Sequence, residues 1–91
     1  MFQQVTIVAT QWNRDFKAPE FVEEFPGSFV DVDDISMLSP TRIIYSIHPA
    51  DVRETGHILL KNGTSVFVTG DSIKPIVEAK GGTTYERDYL R

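Results

Sequence analysis

A chain of 91 residues, 41% hydrophobic and 24% charged, has room for one modest core, since a chain of this size buries only ~60–65% of its unfolded surface. The formal net charge is −4 and there is no cysteine, which excludes disulfides and thiolate metal sites and leaves packing to hold the fold. The apolar runs are short, and the first twenty residues lack a basic n-region and a continuous apolar h-region, so we expect no membrane span, no secretory signal and a cytoplasmic address.

In chain order, Phe2 to Trp12 alternates Val5, Ile7 and Ala9 against Thr6, Val8 and Thr10, the period of a half-buried strand. Asn13 to Ala18 is a polar connection. Pro19 to Phe25 predicts a short helix, with Pro19 at its first position, Glu20 at the favourable end of the dipole, and Phe21 and Phe25 four apart to plug the core. Pro26-Gly27 ends it. A strand over Ser28 to Val32 leads through Asp33-Asp34 to Ile35–Leu38, and Ser39-Pro40-Thr41 predicts a turn. Arg42 to His48 alternates as a strand, and Pro49 to Gly56 reads as a polar loop.

The stretch from His57 to Thr69 is a β-hairpin around Asn62-Gly63, a pair that favours a type I′ turn. That turn sets Lys61 against Thr64, Leu59 against Val66 and Ile58 against Phe67. One face of the ribbon then carries Ile58, Leu60 and Phe67, and the other Leu59, Val66 and Val68. A ribbon apolar on both faces suits a small barrel, or a sheet whose second face meets a helix or a sister chain. Ser72 as N-cap predicts a terminal helix over 73–80, with Pro75 in its first turn, Ile73, Ile76 and Val77 on one face, and Gly81-Gly82 as its stop. The expected fold is mainly β: a small SH3- or Sm-like barrel or two-layer β-sandwich, with helices at 19–25 and 73–80. It forms one domain over 1–82, and residues 83–91 are a mobile tail.

Over roughly residues 29–79, Val32-Asp33-Asp34-Ile35, Ile58-x-Leu60-x-Asn62-Gly63, Val66-Phe67-Val68 and Asp71-Ser72-Ile73 resemble the FlbD-type small proteins associated with flagella. The same strand order, with an acidic pair before Ile35 and a strand containing Tyr45, is similar to the LytTR DNA-binding domain of bacterial response regulators. These resemblances imply a small all-β architecture and a bacterial or phage setting. The FlbD-type pattern has no counterpart for Phe2–Trp12 or for Arg42–Gly56. The LytTR pattern implies basic loops, where this chain has Ser39-Pro40-Thr41 and the mixed-charge Pro49–Gly56.

Chemistry-bearing constellations are sparse. His48 and His57 bracket a segment containing Asp51 and Glu54, which makes a two-imidazole metal site conceivable, but two polar strand ends account for the same pattern. Asp31, Asp33 and Asp34 lack the central glycine and closing glutamate of a calcium loop. No Gly-x-Ser-x-Gly and no phosphate-cradling glycine loop occurs. We therefore expect no cofactor, no metal and no enzymatic activity.

Carboxylates crowd Glu20 to Asp34 with Lys17 the only nearby cation, and aromatics flank them. Aromatic anchors in an acidic rim suit a protein-binding patch, so the expected partner-binding residues are Trp12, Glu20, Phe21, Glu23, Glu24, Phe25, Asp31 and Asp33, with Tyr85 and Tyr89 in the tail. The expectation is a protein-binding or assembly module, with homo-oligomerisation as a corollary if a sister chain covers the spare hairpin face. The alternative is a nucleic-acid-binding barrel using Arg42, Arg53 and Lys61, although no linear Lys/Arg cluster exists.

Overall fold

The computed structural model describes residues 1–80, and the expectations for Gly81-Gly82, Tyr85 and Tyr89 fall outside them. The chain forms strands β1 (Phe2–Asn13), β2 (Ala18–Asp31), β3 (Ile35–Ser46), β4 (Asp51–Leu60) and β5 (Ser65–Thr69), followed by helix α1 (Gly70–Ala79). A single 3₁₀ turn, Val32–Asp34, separates β2 from β3. The strands close into a barrel in the order β1-β2-β3-β4-β5, with β5 returning to β1 through Ile7↔Val68 and Val8↔Phe67. The expected small barrel is therefore the fold.

Several local expectations are corrected, each by the neighbour that a segment finds. Pro19–Phe25 is not a helix but the first half of β2, paired against β1 through Trp12↔Pro19, Gln11↔Glu20 and Thr10↔Phe21. Seven residues offer little against the cost of nucleating a helix, whereas a long ladder to β1 supplies a partner for the backbone. Ser39-Pro40-Thr41 is not a turn, because β3 runs straight through it with Pro40 opposite Gly56. Proline is tolerated there because β3 has β4 on one side only at this level, so the missing N–H can face the open side. Pro49–Gly56 is a loop only at its start: the chain turns over Ile47–Ala50 with a cis His48–Pro49 bond, and β4 begins at Asp51.

The hairpin register differs by one residue from that of a two-residue turn. Leu59 faces Ser65, Ile58 faces Val66 and His57 faces Phe67. The Gly63 amide donates to the Leu60 carbonyl (3.0 Å) and the Leu60 amide to the Thr64 carbonyl (2.8 Å). Gly63 alone takes a positive φ, at 89°, the pattern of a type I turn followed by a left-handed glycine. Asn62 instead accepts the Thr64 amide on its Oδ1 (2.9 Å). The slip has a clear physical driver. It gathers Ile58, Leu60, Val66 and Val68 on one face, where the alternative register would divide them between two.

That face, with Val5, Val30 and Ile35, forms the main core beneath Ile73, Ile76 and Val77 of α1. The helix thus presents the expected apolar face, but it starts earlier than expected. Thr69, not Ser72, is the N-cap, and Pro75 lies inside the helix. Ser72 is used otherwise: its Oγ accepts the amide of Thr6 (2.9 Å), which lies where the β1–β2 register shifts.

On the opposite face of the sheet, Val8, Ile43 and Thr55 are almost fully buried without help from the helix. Their cover comes from closure: β2 bends back to β3 at Glu20↔Ile44, and Phe21 stacks on Tyr45 with ring centroids 4.5 Å apart. One face of the hairpin is thus covered by α1, while on the other Thr55 is enclosed and His57 and Phe67 stay half-buried.

Candidate docking surface

The enclosed layer of Val8, Ile43 and Thr55 separates two openings, and three strands run through them in the same order. Along β1 come Thr6, Val8 and Thr10; along β3, Tyr45, Ile43 and Thr41; along β4, Arg53, Thr55 and His57. In each series the first residue lines a polar cavity and the third an apolar one.

The polar cavity, of about 310 Å³, is bounded by Glu24, Tyr45, Arg53, Glu54 and Asp71, with Thr6, Thr55 and Thr69 supplying hydroxyls. Its groups are tied to one another. The Tyr45 hydroxyl donates to Glu24 Oε1 (3.0 Å), and the Arg53 guanidinium lies 4.1 Å from the centre of the Tyr45 ring. Burial, and then the bond to Glu24, pushes the Tyr45 phenol up to about 12. Arg53 also donates to Asp51 (2.9 Å), which holds its guanidinium protonated beyond the ordinary arginine range.

The apolar cavity, of about 350 Å³, lies where the tip of the β1–β2 ribbon overhangs the other strands. Trp12, Pro19, Pro40, His57 and Phe67 line it together with Thr10, Ser39 and Thr41. His57 and Phe67 face each other across the hairpin with ring centroids 4.9 Å apart. Trp12 stays 63% exposed at the rim, an unusual state for so large an apolar ring. A turn over residues 14–17 fixes the tip: Asn13 Oδ1 accepts the amides of Asp15 and Phe16, both at 3.0 Å.

The residues expected to bind a partner are dispersed. Trp12 marks the apolar cavity and Glu24 the polar one, while Phe21 bridges β2 to β3 by its stack on Tyr45. Glu20 accepts from the Gln11 side chain (3.1 Å). Glu23 and Phe25 stand exposed on β2, so Phe25 does not plug the core. Asp31 and Asp33 sit at the far end of that strand, where both accept from the Met1 α-amino group (3.1 and 2.9 Å). That contact, together with the Asp33 amide, lowers the Asp31 carboxyl below the usual range. Sequence reasoning did not gather His57, Phe67, Pro19 and Pro40 into one site; the ladders bring them together from distant positions.

Arg42, Arg53 and Lys61 do not form one patch. Arg42 lies 3.5 Å from Glu54 and Arg53 is held by Asp51. Arg42 and Arg53 lie on opposite faces, because Ile43, the neighbour of Arg42, is the residue opposite Arg53. Lys61 follows the far end of β4, ~26 Å from Arg53 at the rise of a strand. His48 lies in the turn before β4 and His57 well along that strand, and among the described residues no group of three His, Cys, Asp or Glu is placed to hold a metal. No helix among them is long and apolar enough to cross a membrane.

Comparison with protein-family profiles, curated proteins and solved structures gives no match.

Proposed function

We propose that this chain is a non-enzymatic protein-binding module whose anchor point is the apolar cavity under the β1–β2 tip. The observation that carries the reading is Trp12, a large ring left mostly in water at the rim of a pocket built from Phe67, His57, Pro19 and Pro40. Exposed tryptophans beside well-formed apolar pockets are the residues on which protein interfaces concentrate their energy. Most of the surface the pocket presents is apolar although four of its lining residues are polar, as in a docking patch. Glu20, next to Pro19 of the pocket wall, adds a negative charge that selects against acidic partners.

Immobilised wild-type protein and a Trp12→Ala variant, each exposed to an extract of the source cells, test the reading. Because Trp12 is exposed, the variant keeps the circular dichroism spectrum and melting temperature of the parent. The reading expects a protein retained by the wild type and lost with the variant. Identical retention by both, or none by either, refutes it.

A further inference from the structure

Resting on that reading, we propose that the free edge of β2 is a second element of the interface, to which an extended basic segment of the partner adds as an extra strand. After Glu20↔Ile44 the ladder between β2 and β3 ends, so from Val22 onward β2 is paired with β1 alone. Val22, Glu23, Glu24, Phe25, Pro26 and Gly27 are all exposed, so both faces of the strand are open beside that edge. A strand edge presents a row of unpaired N–H and C=O groups, the template that strand addition uses.

The sequence of this edge sets the chemistry of its occupant. Pro26 and the left-handed Gly27 (φ 78°) break the regular register after Phe25, so the usable template is short and centred on Glu23 and Glu24. Glu23 makes no ion pair or hydrogen bond among the described residues, and Glu24 accepts only from neutral Tyr45. A second copy of the chain is a poor occupant. Antiparallel pairing across this edge sets the two Glu23-Glu24 pairs near each other, between chains that each carry a net charge of −4.

A strand with two consecutive Lys or Arg residues fits both carboxylates. Neighbouring strand residues point to opposite faces, so the cation beside Glu24 turns toward the polar cavity and the other turns toward Glu23. In that cavity Glu24, Glu54 and Asp71 outnumber the one cation, Arg53, which is itself held by Asp51. Flanking β-branched residues match Val22 and Phe25.

The test is selection of a random decapeptide library, displayed on phage, against the full chain. The expected winners carry two adjacent basic residues among β-prone ones. They weaken with added salt, bind a Glu23→Lys/Glu24→Lys variant about tenfold less well, and slow amide exchange within residues 22–25 of the bound protein. Glu23→Gln/Glu24→Gln, which removes charge without reversing it, gives an intermediate loss and guards against a folding artefact. Peptides that lose binding with Trp12→Ala but not with either charge variant overturn the edge proposal and leave the protein-binding reading standing. A dimer abolished by the charge variants makes a second copy the occupant and also overturns it. Enrichment of nothing overturns both.

Discussion

β1 and β2 are hydrogen-bonded to each other along most of their length, are similarly long and are comparably apolar, yet they meet opposite fates. β1 lies between β5 and β2, and its Val5 and Val8 are almost fully buried. β2 has β1 on one side and little on the other, and its Val22, Phe25 and Phe29 remain in water. Where β1 has β5 as a second neighbour, at Val8, it is buried; in β2 Val30 still reaches the main core, while Val22 and Phe25 find no such cover. In β2, exposure of such residues is what the proposed docking would use.

Truncating the same side chain on the two strands breaks the comparison most directly. Val8→Ala removes buried methyl groups and leaves a void, at a cost of about 2–3 kcal/mol. Val22→Ala, on a residue 53% exposed, stays within about 0.5 kcal/mol. Urea denaturation of both variants checks the contrast, and equal losses would mean that β2 is covered in solution.

The next effect lies where the helix presses on the sheet. A methyl group at Gly56 would stand 3.0 Å from Ile73 Cγ1 and 3.1 Å from Leu38 Cδ1, so in Gly56→Ala the Ile73 and Leu38 side chains must give by a few tenths of an ångström in a packed core. We expect a loss of about 2 kcal/mol, the range of an overpacked core, read as a lowered thermal midpoint. Gly63→Ala costs less, about 1 kcal/mol. Nothing crowds that site, and the penalty is only that of a side chain at φ 89°.

These contrasts explain what could be read from the chain and what could not. The strand over Phe2–Trp12 and the face of Ile73, Ile76 and Val77 were legible because their periodicity is local. The strand is not half-buried as expected, however: Val8, grouped with Thr6 and Thr10, is 2% exposed in the second layer. The helix expected at Pro19–Phe25 failed because a spacing of four between Phe21 and Phe25 is also compatible with a bulged strand, and only the ladder to β1 chooses between them. The hairpin was visible, but its register was not. Asn-Gly permits either turn, and the choice falls to the burial of Val66 and Val68 together with Ile58. Of the candidate site, Trp12 and Glu24 stood out as an exposed aromatic and a crowded carboxylate. Phe67, His57 and Pro40 carried no local mark, because barrel closure alone brings them to the tip of β1 and β2.

The smallest effect concerns the tie that holds β2 to β3 where their ladder ends. Tyr45 stacks on Phe21, donates to Glu24 and lies under Arg53, and its phenol is pushed up to about 12 from an ordinary value near 10. A phenol whose folded value is raised contributes stability that is fully present below the unfolded value and fades as the pH climbs through the folded one. The wild type should therefore lose stability between about pH 10 and 12 beyond what general alkaline repulsion removes. Tyr45→Phe keeps the stack but has no phenol to titrate, so its stability declines less steeply across that window. Tyrosinate absorbance gives the direct reading, with one late-titrating component present in the wild type and missing from the variant. If Tyr45 titrates near 10 in the folded protein, the bond to Glu24 is open in solution, and β2 is freer at this point than its stacked ring suggests.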